Sequence, residues 1–282
     1  MITRFAPSPT GPLHLGHAYS AILAHDMARK AGGQFLLRIE DIDQSRARTH
    51  WEEQIYDDLR WLGLTWDGPA LRQSERLNIY RQALETLWEG GFLFPCSCTR
   101  RDIEAAASAP QEGAHYGPDG LIYPGTCREA GARAPGQPLP DAVLRLNMDR
   151  AARDCEFEEI CDLHLGHHAL ARTALIDTVG DVVLARREMG TSYHLSVVVD
   201  DAAQGVTHVT RGADLFEATQ IHVLLQKLLE LPTPTYCHHD LIRDSDGKRL
   251  AKREDARAIS KYRAEGATPG DIRRMVGLPP SS

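Results

Sequence analysis

The histidines His14 and His17 stand three residues apart in the segment RFAPSPTGPLHLGH, which covers residues 4–17. Prolines and a Pro-Thr-Gly turn precede them, so both imidazoles are expected on the first turn of a helix. Unpaired backbone N–H groups and the positive end of the helix dipole attract phosphate oxygens there, and Gly16 lets a flat ring or a ribose approach the backbone. The segment therefore predicts a phosphate site. A surface helix with two solvated histidines would also explain HxxH alone.

A basic segment far along the chain, RLAKR at residues 249–253, offers a second group of phosphate ligands. Arg249 and Lys252 follow an Asp-Gly pair, which predicts a loop. Lys252 could reach a phosphate from the side opposite the histidines. The alternative is an ordinary solvated surface with exposed basic side chains.

Apolar runs on both sides of the histidines predict the elements that hold them. Residues 2–6 form a short apolar strand, a helix with Ala18, Ile22 and Met27 on one face follows, and QFLLRIE at residues 34–40 is apolar on both faces. A strand, a helix and a buried strand in this order are typical of an α/β fold with a parallel sheet. Neither GxGxxG nor GxxxxGK occurs, which argues against dinucleotide enzymes and P-loop ATPases.

Charged side chains cluster at the carboxyl ends of the predicted strands, where open α/β sheets bind their ligands. Arg38, Glu40, Asp41 and Asp43 end the second strand, and Arg211 ends the strand VTHVTRG. Because a guanidinium matches a carboxylate at two points, Arg211 is a candidate for binding an acidic substrate. An ordinary polar loop is the alternative for the first four residues.

Three thiols lie in a Gly-, Pro- and Ala-rich segment, residues 95–140, that interrupts the periodic pattern. Cys96, Cys98 and Cys127 can supply three tetrahedral zinc ligands, and the metal would fix a segment that buries little apolar surface. Spacing alone leaves the fourth ligand open, and His115 is the chemically ordinary choice. Unliganded or partly oxidised thiols are the alternative.

Composition restricts the function further. The 282 residues carry a net charge of −7, which disfavours broad electrostatic binding of nucleic acid, although Lys and Arg crowd residues 243–274. No run of about eighteen apolar residues and no apolar N-terminal segment occurs, so a cytoplasmic protein is expected. Six cysteines in a chain of this length do not predict a disulfide framework, and Cys155, Cys161 and Cys237 are expected to be buried small residues.

Taken together, the motifs resemble those of the class I aminoacyl-tRNA synthetases in their glutamyl form. RFAPSPTGPLHLGH resembles the HIGH motif and DGKRLAKR (246–253) the KMSKS loop, with RIEDID (38–43) and VVVDDAAQGVTHVTRGADL (197–215) between them. The resemblance covers nearly the whole chain. It implies a Rossmann-like catalytic domain in two halves, residues 1–94 and 171–235, an inserted zinc-containing subdomain, residues 95–170, and the KMSKS-like loop with a small helical C-terminal segment, residues 236–282.

The resemblance also implies roles for individual residues. The KMSKS-like loop departs from the family pattern at two positions, because Arg249 replaces the first lysine and Ala251 replaces the serine. The implied catalytic residues are His14, His17 and Lys252, and the implied ATP ligands are His14, Gly16, His17, Arg249 and Lys252. The implied glutamate ligands are Arg4, Ala6, Ser8, Glu40, Tyr193 and Arg211, and the implied ligands of one structural zinc ion are Cys96, Cys98, Tyr123 and Cys127.

Only about thirty residues follow Lys252, which leaves no room for the helical anticodon-binding region of a glutamyl-tRNA synthetase. The chain resembles the short paralogue of that enzyme. The implied reaction is formation of glutamyl-adenylate from L-glutamate and ATP with Mg²⁺, followed by transfer of glutamate to the queuosine base at the wobble position of tRNA(Asp). The alternatives are a minimal glutamyl-tRNA synthetase that charges a tRNA 3′ end and a non-catalytic zinc-containing RNA-binding module. A monomer without membrane association is expected.

The remaining elements follow from periodicity and from the same resemblance. Residues 193–201 contain three consecutive valines, which are typical of a strand, but related synthetases have a helix there and a helix is expected. Residues 143–148 are expected to form a strand of the insertion, and residues 177–185 to return to the main sheet. Further helices are expected at residues 49–62, from a Ser74 cap to residue 90, at residues 213–230, and from Thr268 with Pro269 in the first turn.

Overall fold

The computed structural model describes residues 1–107, 115–129, 136–242 and 257–280. Within these ranges twelve strands form four sheets, and ten α-helices accompany them. None of the described helices is long and apolar enough to cross a membrane. The predicted phosphate ligands Arg249 and Lys252 lie outside the described residues, as does the KMSKS-like loop.

The first part of the chain contains β1 (Ile2–Phe5), α1 (Leu15–Lys30), β2 (Gln34–Ile39), α2 (Thr49–Trp61), β3 (Leu71–Arg72) and α3 (Leu77–Glu89). The three strands form a parallel sheet in the order β1-β2-β3, so the predicted strand, helix and parallel strand are confirmed. Four fully buried alanines of α1 face this sheet, and their small side chains let the helix approach the strands closely. The start of α1 therefore lies at the carboxyl end of β1.

The middle of the chain contains β4 (Leu93–Pro95), α4 (Arg100–Ala107), β5 (Tyr116–Gly117), β6 (Gly120–Leu121), β7 (Leu144–Leu146), α5 (Met148–Ala151), β8 (Cys155–Glu159), β9 (Gly166–Leu170), α6 (Arg172–Thr178) and β10 (Val183–Ala185). The strand expected at residues 143–148 is present as β7, in an antiparallel sheet with the order β10-β7-β4. The prediction that residues 177–185 return to the main sheet is wrong, because β10 pairs with β7. All three β10 side chains are buried, so their apolar pattern could not indicate which sheet they join.

The last part of the main fold contains α7 (Tyr193–Ala203), β11 (His208–Gly212), α8 (Thr219–Leu228) and β12 (Thr235–His239). The neighbours β11, β12 and β8 are parallel, and β9 pairs with β8 in the antiparallel sense. β11 lies beside β1, since the backbone N–H of Thr207 donates to the carbonyl of Ile2 at 2.9 Å. α7 confirms the helix expected at residues 193–201, and its valines are buried on all sides because other elements enclose the helix.

Two helices begin later than their sequence pattern predicts. Ser74, the expected cap of α3, belongs to a 3-10 turn at Gln73–Arg76. Its N–H and hydroxyl donate to the carboxylate of Asp41 at 2.8 and 2.6 Å, because that carboxylate can accept both donors of the serine. The helix expected at residues 213–230 is divided into a 3-10 turn at Ala213–Leu215 and α8.

Cys161 and Cys237 form a disulfide, contrary to the expectation that both are isolated small residues. β12 runs parallel to β8 with Tyr236 opposite Glu159, which brings two cysteines 76 residues apart in sequence to a Cα–Cα separation of 4.8 Å. Spacing along the chain carries no sign of this contact, because it depends on the pairing of two distant strands. Cys155 is a free buried cysteine, as expected.

Two short helices, α9 (Ile259–Ala264) and α10 (Pro269–Met275), end the described chain. Thr268 caps α10, with Pro269 in its first turn as predicted. Ile272 is fully buried in the same apolar core as α1. Ile259 donates its N–H to the carbonyl of Leu13 at 2.8 Å, so this segment lies directly beside the start of α1.

Candidate active site

A cavity of about 740 Å³ opens at the carboxyl ends of β1, β2 and β11. Its volume is within the range of small-molecule sites. Loops that leave parallel strands converge at this edge of a sheet, which brings together side chains that are distant in sequence. Nine residues singled out from the sequence line this one cavity: Arg4, Ala6, Ser8, His14, Gly16, His17, Glu40, Tyr193 and Arg211.

The two histidines define the start of α1. His14 is the N-cap residue: the N–H of Gly16 donates to His14 Nδ1 at 3.2 Å, and the N–H of His14 donates to His17 Nδ1 at 3.2 Å. A neutral imidazole that accepts at Nδ1 carries its proton on Nε2. The imidazoles, with centroids 3.8 Å apart, therefore provide the capping box of the helix with their Nδ1 atoms and carry their protons on Nε2. Such a helix start can bind the oxygens of a phosphate.

Arg4 and Arg38 share one buried carboxylate, Asp201 of α7. Arg4 Nε donates to Asp201 Oδ1 at 2.9 Å, and Arg38 Nη1 donates to the same oxygen at 2.7 Å. Burial alone would raise the pKa of Asp201, but the two guanidinium groups lower it below its ordinary value. Asp201 therefore stays ionised and compensates much of the charge of Arg4 on the floor of the cavity.

Glu40 follows β2 and has a buried side chain whose Oε1 accepts no hydrogen bond from the described residues. The nearest cation is Arg38, with its Nε 3.6 Å from that oxygen. Burial raises the pKa of Glu40 to about 7, although the charges of Arg38 and Arg4 oppose the shift. A cationic group of a ligand in the cavity would satisfy the open acceptor and favour the ionised form.

Arg211 ends β11 and is held by three neutral groups. Its Nε donates to His238 Nε2 at 3.0 Å, its Nη1 to His222 Nδ1 at 2.9 Å, and its Nη2 to Thr219 Oγ1 at 2.7 Å. Among the described residues, no carboxylate forms an ion pair with this guanidinium. Arg211 therefore presents an uncompensated positive charge to the cavity, in contrast to Arg4.

Tyr193 begins α7 at the cavity wall. Burial raises the pKa of its hydroxyl, so the group remains a protonated donor. Sequence reasoning missed the partners behind the lining residues: Asp201, Thr219, His222 and His238. Two adjacent aspartates after three valines in α7 were the one available signal, because charges within an apolar helix require buried partners.

Cys96, Cys98 and Cys127 bring their sulfurs within 4.8 Å of one another. The hydroxyl of Tyr123 lies 3.5 Å from Cys96 Sγ and 3.3 Å from Cys98 Sγ, and it accepts the backbone N–H of Cys127 at 2.8 Å. Burial would raise the pKa of Cys127, yet hydrogen bonds, first among them that to Tyr123, lower it to about 6. Three thiols around one point can supply three ligands of a tetrahedral zinc ion, and the hydroxyl of Tyr123 lies beside them.

His115, the other candidate for the fourth ligand, does not belong to this cluster. It precedes β5, where its carbonyl accepts the N–H of Ile122 at 2.9 Å. Among the described residues, no histidine nitrogen lies close enough to all three thiols to share a metal ion with them. The arrangement therefore favours Tyr123 over His115 on proximity.

The described residues on either side of positions 243–256 lie at the cavity or its rim. Leu241 and Ile242 line the cavity, and Ala258 forms a β-bridge with His14. The described residues on either side of positions 243–256 therefore lie near the histidines.

Comparison with known proteins gives a consistent result. Residues 1–279 match the family model of tRNA synthetases class I (E and Q), catalytic domain. The chain is 70% identical to a glutamyl-Q tRNA(Asp) synthetase of Rhodobacter capsulatus, over 99% of this chain and 100% of that protein. It is 42% identical to a protein of the same name from Nocardia farcinica, over 98% of this chain and 85% of that protein.

Among solved structures, the fold is similar to a glutamate tRNA ligase from Elizabethkingia meningosepticum in complex with its amino acid. The identity is 26% and the TM-score 0.78, over 99% of this chain. The chain spans 60% of the length of that structure. The similarity therefore extends along the described fold but leaves a large part of the longer ligase unmatched.

Proposed function

The chain belongs to the class I tRNA synthetases of the E and Q type, a family of ligases, and from this premise we propose that it activates L-glutamate with ATP and transfers it to the queuosine base of tRNA(Asp). One observation carries the proposal: an open carboxylate, an uncompensated guanidinium and two imidazoles at a helix start line the same cavity. These groups complement the ammonium, side-chain carboxylate and phosphates of the two substrates. The acceptor in this proposal, the queuosine base of tRNA(Asp), is taken from the names of the relatives described above.

The amino acid is recognised at both ends. Glu40 binds the ammonium group, which satisfies its open Oε1, and Arg211 binds the side-chain carboxylate. The hydroxyl of Tyr193 and the guanidinium of Arg4 assist at the carboxylate end. Ala6 and Ser8 line the pocket and position the substrate through backbone and hydroxyl contacts.

Adenylate formation then needs positioning and charge compensation rather than covalent help from the protein. An oxygen of the α-carboxylate attacks the α-phosphorus of ATP, the bond from that phosphorus to the bridging oxygen breaks, and pyrophosphate leaves. His14 and His17 donate to phosphate oxygens from the start of α1, and Gly16 admits the nucleotide close to the backbone. Mg²⁺, bound with ATP, neutralises part of the phosphate charge.

Arg249 and Lys252 complete the phosphate site in this proposal. The support is sequence resemblance to the KMSKS loop, together with the fixed positions of the flanking residues Ile242 and Ala258 beside the cavity and His14. Lys252 would approach the phosphates from the side opposite the imidazoles. Arg249 retains a charge where the family pattern has lysine.

A structural zinc ion on Cys96, Cys98, Tyr123 and Cys127 belongs to the proposal as well. The ion would tie β4 to the segment after β6, where little apolar surface is buried. We assign these residues to an inserted subdomain, residues 95–170, between two catalytic halves, residues 1–94 and 171–235. Residues 236–282 contain most of β12, the KMSKS-like loop and the helical tail.

Two assays test the two steps separately. Exchange of labelled pyrophosphate into ATP should require glutamate in the wild-type protein and should be lost in Arg211→Ala while ATP binding persists. Labelled glutamate should then join tRNA from cells that make queuosine and should not join tRNA from cells that lack it. Nuclease mapping should locate the label in the anticodon loop.

Other outcomes identify the alternatives. Label that persists without queuosine and maps to the terminal nucleotide indicates a minimal glutamyl-tRNA synthetase. Absence of glutamate-dependent exchange in purified wild-type protein favours a non-catalytic RNA-binding module. Periodate oxidation does not separate the two acceptors, because queuosine and the tRNA terminus both carry a cis-diol.

A further inference from the structure

The acceptors that surround Arg211 determine how its guanidinium is presented to the cavity. A guanidinium has five N–H donors and no acceptor. Nε, Nη1 and Nη2 each use one donor, on His238, His222 and Thr219 respectively. Within the described part of the chain, this leaves one N–H on each terminal nitrogen. Two N–H groups on the two terminal nitrogens of a guanidinium can together bind both oxygens of a carboxylate.

Since Arg211 can only donate, both histidines must be neutral acceptors at the nitrogen that faces it. His222 therefore accepts at Nδ1 and carries its proton on Nε2, 3.1 Å from His194 Nδ1. His194 in turn carries its proton on Nε2, which donates to Asp119 Oδ1 at 3.3 Å. A chain of directed hydrogen bonds thus runs from a carboxylate in the turn between β5 and β6 to the guanidinium.

The second histidine is fixed by the same logic through a shorter chain. His238 lies opposite Arg211 in the parallel pair of β11 and β12 and accepts at Nε2. Its Nδ1–H donates to Glu159 Oε2, and Glu159 Oε1 accepts the N–H of His238 and of Cys161, both at 3.0 Å. Each imidazole that contacts Arg211 is therefore oriented by a carboxylate that does not itself contact Arg211.

The charge environment keeps both rings neutral. Burial first, and then the neighbouring charge of Arg211, lower the pKa of His222 far below its ordinary value. Besides burial, the groups that act on the pKa of His222 are Arg211, His194, Arg4 and His238, none of which carries a negative charge, and the ring of Tyr193 packs against the imidazole. Burial also lowers the pKa of His238 to about 4, against the opposing effect of Glu159.

We infer that His222 and His238 are positioning residues, which hold Arg211 through neutral acceptors so that its full charge and its two remaining N–H groups select a carboxylate over a carboxamide. The inference rests on the proposed function, because it takes glutamate as the substrate. An aspartate in either position would hold the guanidinium equally well but would neutralise it. Arg4, paired with Asp201, shows that arrangement in the same cavity.

An isosteric pair of variants separates charge from packing. His222→Asn places a neutral oxygen near the position of Nδ1, and His222→Asp places a charged one there. In glutamate-dependent pyrophosphate exchange, His222→Asn should raise the KM for glutamate about threefold and His222→Asp about thirtyfold, with kcat changed less than about threefold in both. The preference for glutamate over glutamine should fall only in His222→Asp. Equal increases in KM in the two variants, or none in His222→Asp, would overturn the inference.

A second measurement uses the wild-type protein and does not depend on the folding of variants. Nitrogen-15 chemical shifts of the histidine rings at neutral pH should show His222 unprotonated at Nδ1 and protonated at Nε2, and His238 with the reverse assignment. An imidazolium at either residue would overturn the inference. Wild-type exchange with glutamate tests the proposed function alone, and the ring shifts test the histidines alone, so the two failures are distinguishable.

Discussion

Asp200 and Asp201 are consecutive residues of α7, yet their carboxylates bind opposite parts of the molecule. Asp201 accepts hydrogen bonds from Arg4 and Arg38 of the first sheet. Asp200 points the other way, and its three donors are Gln73 Nε2 at 2.9 Å, Arg76 Nε at 2.7 Å and Tyr80 OH at 2.8 Å. Successive residues of a helix project about 100° apart, so the two buried aspartates of α7 can bind side chains from two different layers of the fold. Only Asp201 binds a residue that lines the cavity, Arg4.

Replacing each aspartate with asparagine should therefore separate stability from binding. Asp200→Asn removes the buried countercharge of the partly buried Arg76, and Asp201→Asn removes that of the buried Arg4 and Arg38, so each should lower the free energy of unfolding by about 3–5 kcal/mol. Only Asp201→Asn should raise the KM for glutamate, by about tenfold, because Arg4 loses the carboxylate that orients it. Denaturant unfolding and pyrophosphate exchange measure the two effects. A similar KM increase in Asp200→Asn would show that the binding defect follows from general destabilisation.

Glu40 should give glutamate activation a dependence on pH. Burial raises the pKa of Glu40 to about 7. In the free protein, Glu40 therefore becomes protonated as the pH falls through 7, and the substrate ammonium group loses its anionic partner. The ratio kcat/KM for glutamate should therefore rise about tenfold per pH unit between pH 5 and 6.5 and level off above 7. Initial rates of exchange across this range provide the measurement.

Glu40→Gln is the matched control for this pH profile. The amide has nearly the same shape but cannot ionise, so kcat/KM should fall about hundredfold at pH 8 and the acidic limb should disappear. If the variant retained the same limb, another group would be responsible for it.

The residues that line the cavity could be predicted from the sequence, whereas the residues behind them could not. His14 and Glu40 follow from the strand–helix–strand pattern, because each lies at an end of a predicted element, whereas Arg4 follows from the resemblance to the class I synthetases. His222 contacts Arg211 across 11 residues and Asp201 contacts Arg4 across 197, so only the folded chain reveals either pair. Local periodicity identifies elements but does not identify the partners of buried polar groups.

The same distinction explains the errors in the fold. β10 is apolar at every position, and a uniformly buried strand carries no preference between an antiparallel and a parallel neighbour. Serine is a residue type that commonly caps helices, but the N–H and the hydroxyl of Ser74 donate instead to the carboxylate of Asp41, 33 residues earlier. In both cases a tertiary partner overrode a local pattern.

We expect that substitution of a cysteine within the cluster, but not of one outside it, reduces the amount of bound zinc. Cys98→Ser replaces one of the proposed ligands and should reduce bound zinc from about one ion per chain to less than about half, with a lower melting temperature. Metal analysis after dialysis and thermal unfolding measure the two effects. Cys155→Ser is the control, because Cys155 is a buried free thiol outside the cluster whose pKa is raised by burial to about 11. Zinc retained in full by Cys98→Ser would refute the proposed ligand set.

The disulfide between Cys161 and Cys237 predicts how many thiols can be titrated in the unfolded protein before and after reduction. Protein purified without reductant and unfolded should titrate four thiols, those of Cys96, Cys98, Cys127 and Cys155, and six after reduction. Cys161→Ser should titrate five under both conditions, because Cys237 then has no partner. Six thiols in the unreduced wild-type protein would show that Cys161 and Cys237 stay reduced.

Gly16 offers a test of the histidine pair at the start of α1. An added methyl group at Gly16 would lie 3.1 Å from His14 Cε1 and 3.2 Å from His14 Nδ1, closer than ordinary van der Waals contact, so the imidazole must shift. Gly16→Ala should raise the KM for ATP about fivefold and leave the KM for glutamate unchanged. The melting temperature should not fall, since alanine favours the helix over glycine.

Gly11→Ala is the matched control, because a methyl group at Gly11 would meet nothing within 4 Å. Its KM for ATP should change less than about twofold, even though Gly11 precedes the same helix by a few residues. The comparison isolates the orientation of His14 from any general effect of stiffening the chain. If Gly16→Ala left the KM for ATP unchanged, or raised that for glutamate to the same extent, the imidazole of His14 could not be a specific phosphate ligand.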